Sequence, residues 1–169
     1  LLAPTAINVL WDGFGGLCES NNNGDPIVLY DSQADRWMIT QFAFPSGFTN
    51  NRACIAISET GDPTGAYYLY DFLYSDTKFN DYPHYGVWTD AYYAGVNQFE
   101  GNSFAGAGVV AYERDKMLAG QPAKQIIFDL ETSNPNASTP MPADIDGIFL
   151  PPTDMPGIFI TADDPGELN

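Results

Sequence analysis

Between Glu19 and Asp25 the chain reads Glu-Ser-Asn-Asn-Asn-Gly-Asp, with oxygen-bearing side chains at alternate positions 19, 21, 23 and 25 and a glycine at 24. Alternate spacing lets side-chain oxygens converge on one centre, and the glycine permits the sharp turn that a calcium loop needs. Glu19, Asn21, Asn23 and Asp25 are therefore candidate calcium ligands, and calcium is the one cofactor the sequence suggests. Two departures stand out. The first ligand is Glu rather than Asp, and Tyr30 stands where a bidentate acid would close the shell. An asparagine-rich turn bonded to its own backbone accounts for the same residues.

Other reactive side chains are few. The single histidine, His84, excludes any multi-histidine metal site; beside Asp81 it has the makings of a general base, although a turn histidine needs no such role. The Gly-x-Ser-x-Gly elbow, the phosphate loop and the dinucleotide fingerprint are all missing, and Gly13, Gly15 and Gly16 open no helical pattern, so they read as a turn. Cys18 and Cys54 lack zinc or thioredoxin spacing. In an oxidising compartment they would close a loop of about 36 residues, worth roughly 3–4 kcal/mol on the chain-entropy argument; two separate thiols are the alternative.

The elements that position these groups are strands. Pro26–Tyr30, Arg36–Phe44, Ala53–Ser58 and Ala66–Phe72 are apolar, aromatic or β-branched runs separated by short turn sequences, which predicts an antiparallel meander. A second set follows at Tyr85–Trp88, Ala91–Phe99, Ala107–Tyr112 and Gln125–Leu130. Landmarks recur between the sets. Asp25-Pro26 precedes one and Asp81-Tyr82-Pro83 the other, with the aspartates 56 positions apart; Gln41-Phe42 and Gln98-Phe99 are 57 apart. A third set opens at Pro142–Gly147, with strands near Ile148–Leu150 and Gly157–Ala162, after a proline-bearing linker at Ser133–Pro140. One short helix is predicted over Tyr112–Gly120, stopped by the glycine.

Four strands repeating every 57–60 residues predict an all-β chain, a partial β-propeller with blades at about 24–72 and 81–130 and the start of a third at about 142–169. A β-sandwich is the alternative. Two and a half blades close no ring, so the remaining blades are expected in the same polypeptide or a partner chain.

Gly24–Asp31 with Ala34–Trp37, together with Gly61–Tyr68 and Tyr112–Gly120, resembles blades of secreted bacterial β-propeller domains, many without assigned function and distantly related to sialidase-type propellers. The likeness spans Cys18 to Ala162. It implies an extracellular, cell-surface or periplasmic location in bacteria. Ser58-Glu59-Thr60-Gly61-Asp62 and Ser32–Trp37 only echo the sialidase turn, and Arg36, Arg52 and Arg114 are too few for a sialidase arginine cluster.

In a propeller the loop before each innermost strand lies at the channel mouth. Asp25, Asp81, Asp144 and Asp146 take that place and are candidate channel-mouth carboxylates, for a cation or as an acid/base pair. Six basic residues against 22 acidic ones, a net charge of −16, argue against nucleic acid, and no apolar stretch is long enough for a membrane helix. Tyr67, Tyr68, Tyr70, Tyr82, Tyr85, Tyr92 and Tyr93 offer stacking faces for glycans, or fill space between blades. The expectation is a non-enzymatic structural or ligand-binding module stabilised by calcium. A hydrolase using the channel carboxylates and a subunit of an extracellular filament or surface complex are the alternatives.

Overall fold

The structure, a computed structural model, describes residues 4–163. β1 (Ile27–Asp31), β2 (Arg36–Ala43), β3 (Asn51–Ser58) and β4 (Tyr67–Ser75) form one four-stranded antiparallel sheet in chain order. β5 (Lys78–Val87), β6 (Tyr92–Glu100), β7 (Ser103–Tyr112) and β8 (Gln125–Asp129) form a second, and β9 (Ala137–Pro142) pairs with β10 (Phe159–Asp163) as a hairpin. The chain is all-β and antiparallel, as its turn-punctuated apolar runs predict. Among the described residues the sheets stay open at their edges and close no ring or barrel.

Period-2 alternation sets the layers. On β3, Ala53, Ile55 and Ile57 face the second sheet, where they share a core with Met38, Phe72, Tyr92, Val96 and Val110. Cys54 and Ala56 point the other way, into a smaller core with Trp11, Cys18 and Ala43. A strand buried on both faces needs such an unbroken apolar run. The first sheet therefore lies between the N-terminal segment and the second sheet, and the two sheets face one another as the layers of a β-sandwich do.

The second sheet is covered on its far face too. Tyr93 meets Phe159 edge-to-face at 5.5 Å, and Asn97 Oδ1 accepts the Thr139 N–H at 2.7 Å. Gly95 makes this approach possible, because a Cβ there would run into the carbonyl of Pro140. The layers thus follow chain order: N-terminal segment, first sheet, second sheet, hairpin.

Several local expectations are corrected. Gly16 opens α1 (Gly16–Ser20), preceded by a 3₁₀ turn at Ile7–Trp11, where only a glycine turn was expected. Burial of Trp11 and Cys18 against the first sheet holds these short helical turns, which propensity alone would not. The segment expected as linker, Ser133–Pro140, contains the first part of β9 (Ala137–Pro142), since prolines are tolerated on a strand at the edge of pairing. Ile148–Leu150 forms no strand, and Ile148 and Phe149 are each 87% exposed. The expected helix at 112–120 is the single turn α2 (Arg114–Leu118), Tyr112 being the end of β7.

One backbone feature recurs. Asp25, Tyr82 and Thr139 have φ of 47°, 49° and 48°, and each is followed by a proline, at 26, 83 and 140. The spacing is 57 residues both times. Left-handed φ costs an L-residue roughly 1–2 kcal/mol, and the following proline disfavours the right-handed α region.

Candidate functional site

The αL–proline pair at 25–26 leads into β1 and the pair at 82–83 breaks the register within β5, and between these strands runs a groove of about 580 Å³. Asp25, Tyr82, His84 and Tyr85 line it, with Pro26, Pro83, Ile27 and Leu29 as apolar wall. The Tyr82 ring stands perpendicular to His84, centroids 4.6 Å apart, while 54% of Tyr82 remains exposed. His84 Nε2 is enclosed without a hydrogen-bond partner. The Asp81 carboxylate accepts the Tyr82 N–H at 2.9 Å and so holds the turn rather than partnering His84.

Asp144 and Asp146 lie in a second groove, of about 370 Å³, against Val28, Tyr30, Ser32 and Trp37. There Asp144 accepts the Val87 N–H at 2.6 Å, at the end of β5 remote from Pro83. Burial pushes the Asp144 carboxyl above the ordinary range against that hydrogen bond, and the neighbouring Asp146 carboxyl adds to the rise. The four candidate channel carboxylates are thus divided: Asp25 lines the first groove and Asp81 precedes Tyr82 within β5, whereas Asp144 and Asp146 line the second groove. Among the described residues no three His, Cys, Asp or Glu side chains gather into a metal site.

The candidate calcium loop is committed to the protein itself. Asn23 Oδ1 accepts the Phe44 N–H at 3.0 Å, and Asn21 donates to the Phe44 carbonyl at 2.8 Å while its Oδ1 accepts from Ser20. Glu19 Oε2 accepts the Gly15 N–H ahead of α1. These bonds tie the N-terminal segment to the end of β2. Cys18 and Cys54 form the expected disulfide, 36 residues apart with Cα atoms separated by 5.7 Å.

Sequence reasoning did not find the ion pair that joins the sheets. Asp31 is fully buried, accepts two hydrogen bonds from Arg114 and one from Tyr92, and caps its own turn through the N–H groups of Gln33 and Ala34. Nothing local in the sequence links positions 31 and 114. A tyrosine–glutamine bond does the same elsewhere: Tyr74 donates to Gln98 Oε1 at 2.8 Å across the interface. Gln98 was visible as a landmark, matched to Gln41, and both are buried.

Comparison of the chain with family models, with curated proteins and with solved structures finds no match. Among the described residues no helix is long and apolar enough to cross a membrane.

Proposed function

We propose that the chain is a non-catalytic segment of a β-propeller in an exported protein, serving as a structural or ligand-binding platform. The recurrence of the αL–proline pair every 57 residues carries this reading: it stands just ahead of β1 in the first sheet, and at a break in register within β5 of the second sheet and within β9 of the hairpin. A repeated backbone device at a constant interval belongs to a repeat architecture; a two-layer sandwich needs neither the interval nor a third layer beyond the second sheet. The Cys18–Cys54 disulfide fits an oxidising compartment.

An experimental structure of the chain tests the architecture. The rotation that carries β1–β4 onto β5–β8, applied a second time, is expected to land on β9–β10. A hairpin lying elsewhere would return the chain to the sandwich class. Remaining blades, in the same polypeptide or a partner, are the natural cover for the exposed Ile148, Phe149 and Ile160.

The hydrolase reading finds its best support in Asp144 and Asp146, a coupled carboxyl pair beside the Tyr30 and Trp37 rings. A carboxyl raised by burial and by its neighbour suits a protonated acid better than the ionised nucleophile that a retaining glycosidase needs. A chromogenic glycoside screen is expected to show no turnover; turnover abolished by Asp144→Asn would replace the platform reading.

A further inference from the structure

We propose that the groove between β1 and β5 is a binding site for a small organic cation carrying an alkylammonium group; the proposal rests on the binding-platform reading and names the ligand class for it. At about 580 Å³ the groove has the size of a small-molecule site. Its walls combine the Tyr82, Tyr85 and His84 rings with the Asp25 carboxylate, and they contain no Lys, Arg, Ser, Thr, Asn or Gln. Aromatic faces attract cations through their quadrupole, most strongly where water is displaced. Among the described residues Asp25 takes part in no ion pair, so its charge is available to a ligand.

The sign of the ligand follows from the same walls. Among the described residues no Lys or Arg lines the groove, Asp25 does, and the chain carries a net charge of −16, so an anion is disfavoured both locally and at a distance. A sugar would find rings to stack on but few of the polar donors and acceptors that orient its hydroxyls. An ammonium group needs a carboxylate and ring faces, and these are present.

The third copy of the backbone device separates structural need from ligand chemistry. Thr139 has nearly the φ of Asp25 and Tyr82 and also precedes proline, yet it bears neither charge nor ring and lies away from this groove. The fold therefore requires the αL–proline geometry but not an acid or an aromatic at it. A tyrosine is a poor residue for positive φ, and at position 82 its ring lines the groove beside His84 and Asp25.

Choline is the probe, with its neutral isostere 3,3-dimethyl-1-butanol and glucose as comparisons, titrated into the 169-residue chain by ligand-observed NMR. The expected result is saturable choline binding about tenfold tighter than that of the alcohol, in line with the cation–π range. Asp25→Asn and Tyr82→Thr, the latter borrowing the third copy's residue, are expected to weaken choline binding by about tenfold each while the circular dichroism spectrum and melting curve are retained. Equal binding of choline and the alcohol, glucose binding without choline binding, absence of saturable choline binding, or choline binding indifferent to both folded variants would each overturn the proposal. None of these results alters the superposition test of the propeller reading, so the two fail separately.

Discussion

Arg114 and Asp31, 83 residues apart in the chain, form a two-pronged ion pair between the facing sheets, with Nε 2.8 Å from Oδ2 and Nη2 3.0 Å from Oδ1. Asp31 is fully buried and closes the β1–β2 turn, whereas Arg114 opens α2 beyond β7, so one contact fixes a turn of the first sheet to the helix of the second. Removing one partner leaves an uncompensated buried charge, which costs about 3–5 kcal/mol, whereas replacing both with apolar groups is often neutral. Arg114→Met is therefore expected to lower stability by that amount in urea titration, and Asp31→Leu combined with Arg114→Met to recover much of it.

The same pair gives the acid limb of stability. Burial alone would raise the Asp31 carboxyl, but hydrogen bonds from Arg114 and Tyr92, the Arg114 charge and the Ala34 N–H outweigh it and hold it below the ordinary range. A carboxyl depressed on folding contributes stability that is present above its unfolded pKa, about 3.9, and is lost as pH falls through the folded value. Urea midpoints measured from pH 5 down to pH 2 are expected to fall more steeply in the wild-type chain than in the double variant. Parallel slopes would show that Asp31 carries none of the acid sensitivity.

Alkali acts through a different set of groups in the same interface. Burial raises the hydroxyl of Tyr85 to about 12, those of Tyr74 and Tyr92 higher still with the Asp129 and Asp31 carboxylates adding to the rise, and that of Tyr112 well above its ordinary value. Groups whose pKa is raised on folding stabilise fully below the unfolded value, about 10, and lose that contribution as pH climbs toward the folded value. Each such tyrosine costs about 1.4 kcal/mol per pH unit in that window, so four together cost roughly 5, which is comparable to the whole stability of a domain. Unfolding is expected by about pH 12, with tyrosinate absorbance at 295 nm rising together with loss of circular dichroism. Gradual ionisation of these tyrosines without unfolding would contradict the packing of this interface.

These examples show what the sequence made legible and what it hid. Strand runs such as Ala53–Ser58 were readable because a doubly buried strand is an unbroken apolar string, and the disulfide because only two cysteines exist. The landmarks read from the sequence differ from the positions where the backbone conformation recurs. Matching Asp25 to Asp81 gives an interval of 56, whereas the positive φ before a proline falls at Asp25, Tyr82 and Thr139, 57 apart, since that conformation follows the proline and not the acid. β9 was hidden since Pro135 and Pro140 read as linker punctuation, and its strand character comes from pairing with β10 and seating on Gly95. The Asp31–Arg114 pair left no local trace, as long-range pairs do not.

The disulfide secures the N-terminal segment over the first sheet. Cys18 lies on α1 and Cys54 on β3, both fully buried in the core with Trp11. A 36-residue separation predicts roughly 3–4 kcal/mol from loop closure. For a chain of this size that corresponds to a fall in melting temperature on the order of 10 °C. Melting with and without reductant, and of a Cys18→Ala/Cys54→Ala variant, is expected to show that drop together with quenching changes at Trp11 as it gains water. An unchanged melting curve would mean that apolar contacts alone hold the segment.

The loop from Glu19 to Asp25 makes a metal-free prediction. Asn21 and Asn23 are both bonded to the Phe44 backbone, and Glu19 to the Gly15 N–H, so a calcium ion would have to break these bonds to recruit the same oxygens. Chelator is expected to leave the melting temperature unchanged, and Asn23→Ala to lower stability by about 1 kcal/mol through loss of the bond to the Phe44 N–H. A rise of several degrees in millimolar calcium, lost in Asn23→Ala, would restore the ligand set Glu19, Asn21, Asn23 and Asp25.

Gly95 offers the sharpest test of the third layer. It sits on β6 opposite His84, and its Cα faces the hairpin, where an added methyl would meet the carbonyl and ring of Pro140. Backbone cannot yield as a flexible side chain would, so Gly95→Ala is expected to cost about 1–3 kcal/mol, the usual range for overpacking, and to loosen β9–β10 from the second sheet. Gly101→Ala, with positive φ and open space around the site, controls for glycine loss without a clash. Protease cleavage within residues 143–158, which connect β9 to β10, is expected to accelerate in Gly95→Ala and not in Gly101→Ala. Equal cleavage in both variants would mean that the hairpin does not rest on Gly95, and the layer order that supports the repeat reading would lose its last member.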